Sequence, residues 1–241
     1  MPRGPSLPAK RLGKIAVLVA IGIAASVFVV LRPQDNLVAS LVTGPRLTAL
    51  IEQHLVIVTF ASLLAALTGI PLGILLTRPA LALWSDRVLA VVNVGQTVPS
   101  LAVVALSVGI FGIGLKTAVV ALWIYSVLPI LSNTMVGIRG LDRAILQAAL
   151  GMGMTRQRIM TRVELPLALP MVLAGLRTSV TITIGSAILA AFVGGGGLGD
   201  LIIAGNNISR VQVLALGALL PVLMALIADT LFDLVEDRLQ L

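Results

Sequence analysis

Of the 241 residues, 58% are hydrophobic and only 11% are charged, less than half the charge of an ordinary soluble domain, about 25%. There is no cysteine and one histidine, His54, which excludes disulfides, thiolate metal sites, a cysteine nucleophile and a histidine-based metal cluster. The formal net charge of +7 would suggest nucleic acid in a soluble protein, but Lys and Arg lie mainly between apolar runs, so the implied partner is membrane lipid and not nucleic acid.

Six stretches lack Asp, Glu, Lys and Arg for 17 residues or more: 15–31, 55–77, 88–115, 117–138, 178–199 and 211–228. A helix needs about 20 apolar residues to cross the hydrocarbon layer, and six such runs cannot all hide in one soluble core of this size. Strands of a barrel would alternate apolar and polar over about 10 residues, whereas these runs are apolar on every side. The expected fold is an all-α membrane protein with six transmembrane helices.

In chain order the sequence divides into an inner tail 1–14, a first span 15–31, an outer segment 32–54, a second span 55–77 and a third 88–110. A fourth span 117–138 leads to a long inner loop 139–170, a fifth span 171–193, an outer glycine-rich turn 194–210, a sixth span 211–231 and an inner tail 232–241. Arg3, Lys10, Arg11 and Lys14 precede the first run. That run reads either as a retained span or as a secretory signal; Arg32, Pro33 and Gln34 follow it in place of a small-x-small cleavage site, which favours the span. With both termini inside, Arg78, Arg87, Arg139, Arg143, Arg156, Arg158, Arg162 and Arg238 also fall inside, against Arg32, Arg46, Lys116 and Arg210 outside. The bias obeys the positive-inside rule.

The six runs carry no ionisable side chain for proton or ion coupling. Glu52, His54, Asp229, Asp233, Glu236 and Asp237 stand at span ends and read as structural. Arg177 either snorkels to the inner surface or lines an inner gate. Asn93, Gln96, Thr97 and Ser100 follow i, i+3, i+4, i+7 spacing and share one face of a continuous helix. With Tyr125, Asn133 and Thr134 they are the candidate wall of a translocation path, interhelical hydrogen bonding being the alternative. Gly69 and Gly73 suit close helix packing. No phosphate-cradling G-x-x-x-x-G-K-[ST] is present: Gly13-Lys14 is followed by Ile15, and Pro8 takes the first glycine position. Residues 194–199 match G-x-G-x-x-G literally but lack a preceding strand, and read as a very flexible turn. No cofactor is expected in this chain, so uphill transport requires a nucleotide-hydrolysing partner.

In the inner loop, Asp142 is suited to cap a short helix ended by Gly151 and Gly153, and Thr155 to cap a second, basic one that Pro166 stops. Gln147-Ala148-Ala149-x-x-x-Gly153, nine residues, then Val163-x-Leu165-Pro166 resembles the EAA signature of ABC importer permeases, with Gln147 in place of glutamate and Val163 in place of isoleucine. Thr97 to Ala102, Gly112-Ile113-Gly114, the stretch from Tyr125 through Pro129 to Asn133 and Thr134, and the glycine run are similar to the osmoprotectant (quaternary-amine) branch. The resemblance covers about residues 50–235. It implies a single permease domain, a five-helix core plus one N-terminal helix, in a bacterial inner membrane. It further implies a dimer of such subunits, cytoplasmic ATPases that hold the ATP and magnesium, and an extracytoplasmic solute-binding protein. Gln147, Ala148, Ala149, Gly153, Val163, Leu165 and Pro166 then form the coupling surface, and the cargo is glycine betaine, choline or carnitine. An amino acid or sulfonate importer is the alternative, followed by an ion-coupled transporter.

Overall fold

The computed structural model describes residues 7–239; Arg3, assigned to the inner tail, lies outside the described residues. These are helical throughout: α1 (Leu7–Leu31), α2 (Asn36–Leu41), α3 (Gly44–Leu76), α4 (Ala82–Thr97), α5 (Ser100–Phe111), α6 (Leu115–Arg139), α7 (Arg143–Gly151), α8 (Arg156–Ile159), α9 (Leu165–Ser186), α10 (Gly199–Asn207) and α11 (Val211–Leu239). Among the described residues five helices are long and apolar enough to cross a membrane, or six when the bent pair α4–α5 counts as one.

Helices α3, α6 and α9 form the centre. Lipid tails give apolar helices no hydrophobic reason to associate, so backbone approach and interhelical hydrogen bonds supply the attraction. Both are present. A Cβ at Gly69 would lie 3.0 Å from Ile130 and one at Gly73 2.7 Å from Thr134, so the two glycines seat α3 against α6. Gly175 of α9 approaches Asn133 and the Pro129 carbonyl equally closely. Between α6 and α9 the Ser126 and Thr183 hydroxyls lie 2.6 Å apart, and Ser179 donates to the Ser126 carbonyl at 2.8 Å. All three are buried.

Around this centre, Ile57, Ala61, Val104, Leu122 and Ile184 knit α3, α5, α6 and α9 into one apolar cluster. A second cluster, including Val29, Val38, Leu50, Leu201 and Leu216, joins α1, α2, α3, α10 and α11. Helix α1 is fastened to α11 at both ends, by the Arg11–Asp237 ion pair at 2.9 Å and by Gln212, which bonds Gln34 N and the Arg32 carbonyl. Asp35 caps α2 by accepting from Val38 N and pairs with Arg210. The Val38 N–H, with Arg210, holds its carboxyl below the ordinary range.

Four expectations are corrected. The run 88–110 is not one continuous helix: α4 and α5 meet at a 100° bend. Pro99 has no N–H to continue a helix and pushes Val98 out of helical geometry, and Val98 is extended at ψ 129°. Pro166 does not stop a helix. The chain runs from Arg156 to Val193 as one apolar helical stretch, with a π turn at Met160–Glu164 whose Leu165 N–H reaches the Met160 carbonyl; this wider register accommodates the proline without the usual clash. The outer segments expected at 32–54 and 194–210 contain helix, since α3 already starts at Gly44 and α10 occupies Gly199–Asn207.

The glycine run, expected to be very flexible, is the fourth. Gly195 N bonds the Ala190 carbonyl at 2.8 Å and Gly197 N bonds Gln53 Oε1 at 3.2 Å. Beside it His54 is fully buried, its Nε2 3.1 Å from the Ile184 carbonyl. Gly196 and Gly197 have φ of +76° and +90°, and a Cβ at Gly196 would clash with Gln53. Backbone geometry, not mobility, requires glycine there.

Candidate functional site

Between α6 and α9, the Asp142 carboxylate accepts from Ala144 N at 2.8 Å and starts α7. The helix closes where Gly153 N bonds the Leu150 carbonyl at 2.9 Å and Met154 N the Ala149 carbonyl at 3.1 Å. These paired bonds require a left-handed residue between them, and Gly153 has φ +79°. Thr155 Oγ1 then accepts from Arg158 N at 3.3 Å and starts α8. Two helices thus meet at a fixed corner, with Gly153 as its vertex.

Of the motif residues, Gln147, Ala148, Gly153 and Pro166 are exposed, Val163 and Leu165 half-buried, and Ala149 buried. Sequence reasoning missed Ile145, Leu150 and Met152, exposed at 44%, 53% and 75%. Exposed large apolar side chains on a loop outside the spans are candidates for an interaction surface. Their signal was present: three large apolar side chains within eight residues of a loop outside the spans. Arg143, Arg156, Arg158 and Arg162 of the same loop are also exposed.

The second group lies at the α4–α5 elbow. Asn93, Gln96 and Thr97 are exposed and Ser100 half-buried, but Ser100 belongs to α5, so the bend removes it from the face shared by the other three. The Thr97 hydroxyl is used locally, donating to the Val94 carbonyl at 2.7 Å. Asn93 and Gln96 present their amides outward from an apolar helix, and an unpaired amide costs several kcal/mol in lipid, so this face meets water or protein. Tyr125 is half-buried on α6. Thr134 is a correction: it is fully buried under Gly73, bonded to the Ile130 carbonyl, and belongs to the α3–α6 seam. Asn133 is likewise packed at Gly175, its Nδ2 donating to the Pro129 carbonyl at 2.8 Å.

Arg177 resolves as a clamp. Its Nε lies 2.6 Å from Asp229 and its Nη1 2.8 Å from Asp233, with Glu236 at 3.7 Å. This fastens α9 to α11. Among the described residues no group of His, Asp and Glu is arranged to hold a metal ion.

A family model described as "Binding-protein-dependent transport system inner membrane component" matches residues 69–241. This chain belongs to that family. It is therefore a membrane transport subunit. The Choline transport system permease protein OpuBB of Bacillus subtilis is 42% identical over 187 residues, 78% of this chain and 85% of that protein. The Glycine betaine/carnitine/choline transport system permease protein OpuCD of the same organism is 42% identical over 78% of this chain and 81% of its own length. The Osmoprotectant import permease protein OsmY of Salmonella typhimurium is 43% identical over 78% of this chain and 80% of its own. In fold the chain is similar to the inward-facing MetNI methionine ABC transporter, with a TM-score of 0.71 at 23% identity, covering 80% of this chain and 95% of that one.

Proposed function

We propose that this permease carries a quaternary-amine osmoprotectant, of the glycine betaine, choline and carnitine class, inward at the expense of ATP hydrolysed by a separate subunit. The observation that carries the substrate class is the 42–43% identity, over 78% of the chain, to permeases named for those solutes. The exposed Ile145, Leu150 and Met152, with the exposed Gln147 and Ala148 on the same helix and its end, fit a groove on a cytoplasmic ATPase, which holds the nucleotide and its metal. Gln147 makes that contact by hydrogen bonding without a charge.

Two copies of the permease, or two homologous ones, face each other across the elbow, so that Asn93, Gln96, Thr97 and Ser100, with Tyr125, line a wet path between them. A solute-binding protein delivers cargo to the face opposite the docking loop. Both termini are cytoplasmic, so a cysteine at Thr155, in a chain that has none, is labelled by an impermeant reagent only from the cytoplasmic side.

The test is ATP-driven uptake by the complete complex in proteoliposomes, with labelled glycine betaine and labelled methionine in parallel. Saturable betaine uptake without methionine uptake is expected. Methionine uptake alone would replace the substrate assignment, and uptake driven by an ion gradient without ATP would overturn the mechanism.

A further inference from the structure

The segment 77–87, made of the link after α3 and the first six residues of α4, lies outside both the docking loop and the polar face, yet it touches both ends of that loop. Arg78 Nη2 lies 2.7 Å from Glu164 Oε2, with the two side chains only 27% and 13% exposed. Glu164 is the unassigned position between Val163 and Leu165 in the motif, and it closes the π turn Met160–Glu164, where the loop re-enters the membrane. Arg78 is itself locked, because its Nε donates to the Ile74 carbonyl at 3.1 Å, beside the Thr77 hydroxyl on the same acceptor at 2.7 Å. At the other end, Arg139, the last residue of α6 before the loop, pairs with Asp86 at 2.7 Å. Buried Ser85 donates to the Leu76 carbonyl. One 11-residue segment, which joins the end of α3 to the first turns of α4, therefore holds the exit and the entrance of the docking loop.

We propose that segment 77–87 is a tie-bar that carries displacement of the docking loop into α4 and its elbow, with Arg78 as the positioning residue that grips the loop through Glu164. The proposal rests on the docking role assigned above. Displacement of the π turn pulls Arg78, and with it the base of α4, because Ser85 and Arg78 fasten that base to the end of α3. The Asp86–Arg139 tie adds less. Asp86 is 83% exposed, so water and salt screen the pair.

The experiment uses the whole complex of permease, ATPase and binding protein in proteoliposomes. R78E and E164R singly are expected to lower solute transported per ATP about tenfold, and the R78E/E164R exchange to restore it to within about twofold, as for two groups whose double-mutant coupling is about 2.3 kcal/mol. ATPase subunits should still co-purify with every variant. R78C/E164C, joined by a short thiol cross-linker, should keep transporting because the two positions move together. Wild-type stoichiometry in the single variants, or loss of transport on cross-linking, overturns the tie-bar alone. Failure of the wild-type loop to cross-link to the ATPase from a cysteine at Met152 overturns the docking role and the tie-bar with it.

Discussion

Replacing Gly153 in turn by asparagine, alanine and valine isolates what the corner of the docking loop requires. A Cβ there meets no atom within 4 Å, so the first added atom is not crowded. The dominant cost is dihedral. At φ +79° an L residue in the left-handed region is destabilised by about 1–2 kcal/mol, asparagine least and a β-branched residue most. That range corresponds to about a five- to thirty-fold change in the population of the folded corner. If docking requires the corner, the apparent affinity for the ATPase subunit falls in the order Gly, Asn, Ala, Val, reaching about thirty-fold for valine. The assay is a titration of detergent-solubilised permease with purified ATPase, followed by ATP-driven uptake on the same preparations. Valine binding as tightly as glycine, or asparagine binding as weakly as valine, would refute a role for the corner geometry in docking.

G73L drives a side chain into Thr134, whose Cβ lies 2.7 Å from the first added atom; overpacking of this kind costs about 1–3 kcal/mol, read as a lowered melting temperature in detergent. R177Q leaves Asp229 and Asp233 facing each other without their guanidinium. Because these side chains are about one-third exposed, the loss is about 1–2 kcal/mol and not the full penalty of a buried pair. Adding D229N to R177Q should recover part of it, and no recovery would argue against the clamp. The cap of α2 depends on an ionised Asp35, whose folded value is depressed by the Val38 N–H first and then by Arg210. Its contribution is complete above the unperturbed value of 3.8 and disappears as pH falls through the depressed one. Hydrogen exchange at the Val38 and Ala39 amides should rise over that interval after correction for the intrinsic pH effect, and D35N should remove the response.

Much of the fold is legible in the sequence because bilayer thickness and the cost of buried charge write themselves into uninterrupted apolar runs. The docking corner is equally legible. Asp142, Thr155 and Gly153 act within three residues of where they stand in the chain, so residue type alone specifies their bonds. The elbow was hidden because residues 88–115 stay free of charge on both sides of Pro99, and composition does not register direction. The π turn was hidden for a related reason: a proline after a polar turn signals a helix end unless the register widens locally. Partners were harder still. Arg177 finds Asp229 and Asp233 at separations of 52 and 56 residues, and Arg78 reaches Glu164 across most of the central bundle. Only tertiary packing, of α9 on α11 for the first and of α3, α6 and α9 for the second, brings such pairs together. The same packing claimed Thr134, whose hydroxyl looks no different in sequence from one facing water.

The glycine seams at Gly69, Gly73 and Gly175 bear on how such a protein can move at all. Where main chains approach this closely, neighbouring helices cannot slide or roll past each other without collision, and packed interiors switch between discrete arrangements more readily than they deform. The central three helices therefore behave as a keel, shifting as one piece. Compliance is left to the joints around it, such as the 100° bend at Pro99, where no backbone N–H continues the helix.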